Sequence, residues 1–243
     1  MREQASAAGA SGFVVGLSGG IDSAVVVRLA QLATPGHVVG VLMPCHSDPQ
    51  DERDATRLAA HFAVPTVRVD LAGAYDPLLG LLKDAVGSLP AGMHQPASAD
   101  DPRTRLSLAN VKPRLRMTSL YYIANSLNYL VAGTGNRSEL SIGYFTKYGD
   151  GGVDVLPIAN LVKSQVRAVA RELGVPEDLV ERTPSAGLWL GQTDEAEMGF
   201  TYVELERYLN EGPQAVDAAV AEKIARLARV SEHKRRLAPA PPQ

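Results

Sequence analysis

Six consecutive residues, Ser18-Gly-Gly-Ile-Asp-Ser23, carry the sharpest chemical signal in the sequence. Paired glycines let a backbone turn tightly and aim several N–H groups at one point. The apolar run Phe13–Leu17 before them reads as a buried strand, and the Ala-, Val- and Leu-rich stretch Asp22–Ala33 after them reads as a helix. The turn therefore sits at a helix N-terminus, where the positive end of the helix dipole favours an anion. Ser18 and Ser23 offer hydroxyls, and Asp22 offers a hard oxygen of the kind Mg²⁺ takes. Together these features predict a cradle for a pyrophosphate. It is not a Walker A loop, because the Gly-Lys-Ser/Thr ending is missing. The plain alternative is a glycine turn with Ser and Asp capping a helix. The position after the first strand and the full spelling favour phosphate.

Other polar residues admit two readings each. Glu139 lies just past the Gly133-Thr-Gly135 turn, where a carboxylate can meet the same Mg²⁺ as Asp22 or simply stabilise the first turn of a helix. Lys163 falls in the first turn of its own helix, where a cation opposes the dipole, so an anionic partner is expected. Lys147, in a loop between Phe145 and Tyr148, suits an anionic substrate or plain solvation. Arg114 and Arg116 flank Leu115, so one is expected on a phosphate and the other in solvent. His233-Lys-Arg-Arg236 reads as the solvated basic end of a helix. Cys45 reads as a small packed side chain rather than a nucleophile.

The elements that must position these groups follow from hydrophobic periodicity. Further strands are predicted at Val38–Met43, Thr66–Leu71, Tyr129–Ala132 and Val153–Ile158. Helices are predicted at Gln50–Phe62, Tyr75–Val86, Leu106–Asn128, Leu161–Leu173, Thr201–Leu209 and Ala215–Lys234, with Pro113 bending the long one or marking its true start. Leu89–Arg105, rich in Pro and Gly, reads as a loop that orders when ligands bind. Strands alternating with helices indicate an α/β fold, a doubly wound parallel sheet with helices on both faces. In such folds ligands sit at the carboxyl ends of the strands, where both glycine turns fall. No repeat or boundary divides the chain, so residues 1–243 are expected to form one domain, with 1–12 and 238–243 as flexible ends.

Bulk properties narrow the function classes. With 45% hydrophobic and 21% charged residues, the chain is an ordinary globular protein. A net charge of −3 argues against nucleic acid as a partner. No apolar run approaches the ~20 residues that span a membrane, and no signal-peptide core opens the chain. One cysteine excludes an intrachain disulfide and a Cys-based cluster, which points to a reducing, cytoplasmic setting.

The hexapeptide resembles the PP-loop of the ATP pyrophosphatases, which activate a carboxyl or carbonyl oxygen with AMP and expel pyrophosphate. Within that class the consecutive stretches Asn110–Met117, Gly133–Glu139, Gly143–Asp150, Pro184–Trp189 and Gly191–Glu195 resemble NAD synthetases, over about Phe13 to Arg236. The resemblance implies a Rossmann-like ATP pyrophosphatase fold. It also implies amidation of nicotinic acid adenine dinucleotide by ammonia, with ATP as co-substrate and Mg²⁺ as metal, to give NAD, AMP and pyrophosphate. Gly16, Leu17, Ser18, Gly19, Gly20, Ile21, Asp22 and Ser23 match the ATP phosphate loop. Thr134, Lys163 and Ser185 match further ATP contacts, and Asp22 with Glu139 match the metal ligands. Arg114, Lys147, Asp154, His233 and Lys234 match contacts to the dinucleotide. Asp22 and Lys163 are the implied catalytic pair.

Glutamine-dependent members carry an added amidase domain, for which a chain starting its PP-loop strand at residue 13 has no room. Free ammonia is the expected donor, with a separate glutaminase subunit left open. The family also implies a homodimer that binds the dinucleotide at the subunit boundary. The long helix Leu106–Asn128, apolar on more than one face, is its expected interface. Only about a dozen residues precede the first strand, a departure from the family that bears on that dimer. An amidoligase for another carboxylate and a non-catalytic nucleotide-binding regulator are the rival functions; a tRNA thiolase would be expected to need more cysteines.

Overall fold

The computed structural model describes residues 1–90, 92–93, 101–185 and 193–241. Where small polar residues predict a flexible start, the chain forms a short helix, α1 (Arg2–Ala7). Ala5 is buried, and the Arg2 guanidinium donates to the carbonyls of Leu32 and Ala33.

Next come β1 (Gly12–Gly16), α2 (Ile21–Ala33), β2 (Val38–Leu42), α3 (Pro49–His61) and β3 (Thr66–Arg68). Asp48 starts α3 by accepting the Gln50 N–H, with Pro49 at the first helical position. The chain then runs through α4 (Ala72–Gly87), α5 (Pro102–Ala109) and α6 (Val111–Leu127) before returning as β4 (Tyr129–Ala132). All pairings are parallel, and the strand order is β3-β2-β1-β4. Growth of the sheet therefore reverses at β1, with Phe13 opposite Val38 on one side and Leu130 on the other. The carboxyl ends of β1 and β4 flank that switch point, where doubly wound sheets open a crevice.

The remainder holds α7 (Arg137–Ile142), α8 (Lys163–Glu172), α9 (Glu177–Val180), α10 (Asp194–Met198), α11 (Tyr202–Glu211), α12 (Ala218–Val230) and α13 (Glu232–Arg235). Alternation along β1 separates two cores. Phe13 and Val15 pack with α2, α3 and α8, while Val14 packs with Cys45, Tyr75 of α4 and Ala124 of α6. Helices thus cover both faces. A third core, built on Ile142, Phe200, Leu205 and Ile224, unites α7, α11 and α12.

Several expectations need correction. Val153–Ile158 does not form a fifth strand: only Val155 bridges, to Ala132. The Asp154 side chain accepts the Val131 N–H at 2.8 Å, replacing a main-chain partner, and Pro157 has no N–H to offer. The long helix is two, meeting at Asn110, with Pro113 in the first turn of α6, where N–H groups lack helical acceptors anyway. Residues 102–105 of the predicted loop belong to α5, while 91 and 94–100, like Trp189, lie outside the described residues. The last predicted helix breaks at Ser231.

Candidate active site

Gly19 shapes the first turn. Its φ is +77°, and a Cβ there would stand 2.5 Å from the Asp51 carbonyl oxygen of α3. Only glycine lets the loop lie this close. Behind it, the buried Ser23 hydroxyl donates to the Gly20 carbonyl at 2.8 Å. The Gly20 N–H reaches the Ser18 Oγ at 3.3 Å, and the Ser18 N–H reaches the Ser23 Oγ at 3.4 Å. Those contacts are long for hydrogen bonds, so these donors are held in place but weakly engaged. Gly20 caps α2 without a side-chain hydrogen bond, which leaves first-turn N–H groups of that helix for an incoming anion.

The second glycine turn delivers α7. Asn136 and Glu139 form a capping box: the Asn136 Oδ1 accepts the Glu139 N–H at 3.1 Å, and a Glu139 oxygen accepts the Asn136 N–H at 3.3 Å. The Asn136 amide also donates to Asp22 at 2.9 Å, tying the two turns across the cleft. Lys163, the first residue of α8, is 1% exposed. Its ammonium donates to Asp22 at 2.6 Å and lies 3.4 Å from Glu139. It stands over the Tyr202 ring at 5.1 Å, and the Tyr202 hydroxyl donates to the buried Asp194. Burial alone would push the Lys163 ammonium down, but Asp22 and Glu139 outweigh it and hold it above the usual lysine range.

One ammonium within reach of two carboxylates marks a place where a divalent cation would fit. Asp22 and Glu139 would supply hard oxygens, and phosphate and water would complete the shell. No group of three or more His, Cys, Asp or Glu gathers for a metal among the described residues.

Burial and the Asp22 charge push the Glu139 carboxyl from 4.5 up to about 8, against the pull of Lys163. The folded chain therefore keeps a proton that the unfolded chain has released. This contribution to stability is full below about pH 4.5 and is lost as pH rises through about 8. Thermal melts of the ligand-free protein should fall between pH 5 and 8, and Glu139→Gln should flatten that fall. Identical slopes in the two proteins would contradict the assignment.

The loop and the carboxylate pair open on one cleft of about 580 Å³. Gly16, Leu17, Ser18, Gly20, Ile21 and Asp22 line it, as do Thr134, Glu139, Lys163 and Ser185. Arg114, Lys147, His233 and Lys234 line its rim. Gly19 and Ser23 instead face the protein and brace the loop. Asp154 is not brought to this cleft: its carboxylate accepts the Tyr121 hydroxyl at 2.9 Å and the Val131 N–H.

The rim cations also have structural duties. The Lys234 ammonium donates to the carbonyls of Gly143 and Phe145 at 2.8 and 2.7 Å, and the Lys147 ammonium donates to the His233 carbonyl at 2.6 Å. Lys234 and Arg235 are thus strapped onto α7 and the loop after it, while His233 and Arg236 stay exposed as the sequence predicts. Gly143, at φ +67°, makes the strap close: a Cβ there would meet the Ser231 Cβ at 2.2 Å. Arg114 and Arg116 both line the cleft, so neither simply faces away; Arg116 is tied to the Met43 carbonyl and the Ser47 hydroxyl.

Sequence reasoning missed Asn136, Asp194 and Arg182. Asn136 was detectable, since Asn-x-x-Glu spells a capping box. Asp194 lies within the family-like stretch Gly191–Glu195 but received no role of its own there, and Arg182 carries no local pattern.

Comparison with known proteins adds the family. The NAD synthase family model matches residues 1–238. The NH(3)-dependent NAD(+) synthetase of Carboxydothermus hydrogenoformans is 51% identical over 241 residues, covering 99% of this chain and 93% of that protein. The structure of NMN synthetase from Francisella tularensis superposes with a TM-score of 0.87 at 37% identity, over 99% of this chain and 93% of that one. The NH3-dependent NAD synthetase of Campylobacter jejuni, in complex with the nitrate ion, gives 0.76 at 27% identity with the same coverage.

Proposed function

The chain belongs to the NAD synthase family, and from that premise we infer that its cleft runs the family's reaction: ATP-dependent amidation of nicotinic acid adenine dinucleotide with ammonia, giving NAD, AMP and pyrophosphate. One observation carries this reading. The phosphate-type loop, the Asp22–Glu139 pair and the buried Lys163 ammonium open on a single cleft at the switch point of the sheet.

The nicotinate carboxylate is a poor electrophile for ammonia. Its oxygen attacks the α-phosphorus of ATP, forming an acyl-adenylate and releasing pyrophosphate. Ammonia then adds to the activated carbonyl, and AMP leaves with the carboxylate oxygen. The N–H groups of Ser18 to Ser23 and the Lys163 ammonium hold the pyrophosphate and offset its growing charge. Asp22 and Glu139 would hold Mg²⁺, which neutralises phosphate charge when bound. To meet the pyrophosphate, Lys163 exchanges part of its contact with Asp22 for phosphate oxygen. Thr134 and Ser185 contact ATP in this reading, and Arg114, Lys147, His233 and Lys234 receive the dinucleotide. Much of the rate comes from aligning two large nucleotides. No side chain acts as a covalent nucleophile, and Cys45 is fully buried.

Incubation with the dinucleotide, ATP, Mg²⁺ and ammonium should yield NAD with equimolar AMP and pyrophosphate. The nicotinic acid mononucleotide, run in parallel, should react more slowly. ADP and phosphate as products, or faster use of the mononucleotide, would overturn the assignment. Glutamine in place of ammonium should give no NAD unless a separate glutaminase is added.

A homodimer belongs to the same reading. Tyr122 on α6 is 75% exposed and Leu81 on α4 is 69% exposed, and these two helices pack together. A second copy seated there covers both. It also gives Asp154, outside the cleft of its own chain, a substrate to meet at the subunit boundary. Light scattering at micromolar concentration should give twice the chain mass. Tyr122→Arg should yield monomers that lose activity on dilution; a fully active monomer would refute the shared site. No helix among the described residues is long and apolar enough to cross a membrane. A cytoplasmic location, with ATP at hand and a reduced thiol, completes this reading.

A further inference from the structure

We propose that Arg182 is a positioning residue that fixes the direction of the Gly19–Gly20 peptide in the pyrophosphate-binding loop. The proposal rests on the ATP site described above and goes beyond it by assigning a residue outside the loop. Arg182 follows α9 and leads into Thr183–Ser185, which line the same cleft. Its guanidinium spans two walls. Nη1 donates to the Gly19 carbonyl at 3.3 Å and to Asp54 at 3.0 Å, and Nη2 donates to Asp51 at 2.5 Å. Both aspartates stand on α3, the helix whose backbone Gly19 touches. Asp54 is further held by the Gln50 amide at 3.0 Å and the Arg57 guanidinium at 3.4 Å.

The effect on the loop follows from peptide planarity. The carbonyl of Gly19 and the N–H of Gly20 belong to one rigid plane and point in opposite directions. With the carbonyl bound to Arg182, which itself lines the cleft, the Gly20 N–H is turned the opposite way, toward the Ser18 Oγ that it reaches at 3.3 Å. A Gly-Gly peptide has no side chain to resist a flip, so the Arg182 contact adds to those of Ser18 and Ser23 in setting its direction. A flipped peptide would present a carbonyl oxygen to the pyrophosphate in place of a donor. Arginine suits the task because its planar fork reaches several acceptors at once, whereas a lysine ammonium is a single point charge.

The rival role for Arg182 is direct contact with the pyrophosphate, and neutralising its two aspartates separates them. Steady-state kinetics and ATP calorimetry without the second substrate would be run on the wild type, Arg182→Ala, Arg182→Lys and the double variant Asp51→Asn/Asp54→Asn. Arg182→Ala should raise KM for ATP about tenfold or more while KM for the dinucleotide stays within about twofold. Arg182→Lys should resemble the alanine variant, and its recovery of wild-type KM would overturn the fork geometry. The double variant should also bind ATP more weakly, because the fork loses its anchor. Tighter ATP binding there would mean that freed Arg182 contacts phosphate, and would overturn the proposal. If Arg182→Ala does not fold, the lysine and double variants still decide. Wild type lacking NAD synthesis would sink the functional reading alone, since ATP affinity still tests Arg182.

Discussion

Replacement of Lys163 by methionine should lower kcat about a thousand-fold, the scale of losing a preorganised charge donor in a water-poor site. Methionine keeps much of the buried stem and removes only the ammonium, so packing around Val166 and Ala170 should survive. The electrostatic consequence is larger than the steric one. Asp22 and Glu139 would be left facing a cleft with no cation between them, and breaking a buried pair costs about 3–5 kcal/mol. Part of that is recovered because Glu139, already pushed up to about 8, takes a proton more readily. A divalent cation would then find the carboxylates without a competing ammonium. Mg²⁺ without ATP should therefore raise the melting temperature of Lys163→Met more than that of the wild type. Wild-type turnover in the variant, or an equal response to Mg²⁺, would remove Lys163 from the assigned role.

That pairing explains what the sequence could and could not reveal. The loop Ser18–Ser23 was legible because its glycines, hydroxyls and flanking elements are contiguous, and local rules describe contiguous residues. The strands β1, β2 and β4 were legible because short apolar runs between turn residues admit few alternatives. Val153–Ile158 misled because a strand pattern does not register that the Asp154 carboxylate will accept the Val131 N–H of the neighbouring strand. Lys163 was suspected from a cation at the unfavourable end of a helix, yet its partners lie 141 and 24 residues away. Glu139 looked like either a helix-start glutamate or a cleft carboxylate; it occupies the capping box with one oxygen and faces Lys163 with the other. Arg182, 163 residues from the Gly19 carbonyl it holds, carried no signal because its role exists only once the sheet has brought α3, the loop and the segment after α9 together.

Asp22→Asn and Glu139→Gln should both impair turnover but should differ in stability. Each removes a carboxylate from the proposed metal site, which at about 3 kcal/mol of transition-state charge stabilisation is roughly a hundred-fold in rate. The folds respond differently because the two side chains carry different local loads. Asp22 accepts the Lys163 ammonium with one oxygen and the Asn136 amide with the other. An asparagine there has one acceptor oxygen for two donors, and its own amide hydrogens face whichever donor is left. Losing a hydrogen bond to a charged group in this setting costs about 1.5–3 kcal/mol. Glutamine at position 139, by contrast, can still accept the Asn136 N–H, since Glu and Gln serve a capping box alike. The Glu139–Lys163 contact it weakens is the longer one, at 3.4 Å. Glu139→Gln should therefore unfold near the wild-type temperature at pH 7, while Asp22→Asn should unfold several degrees lower. Raising Mg²⁺ should recover part of the Glu139→Gln rate, because Asp22 remains as an anchor. A Glu139→Gln variant less stable than Asp22→Asn would contradict the hydrogen-bond assignment, and unchanged rates in both at low Mg²⁺ would remove these carboxylates from the metal site.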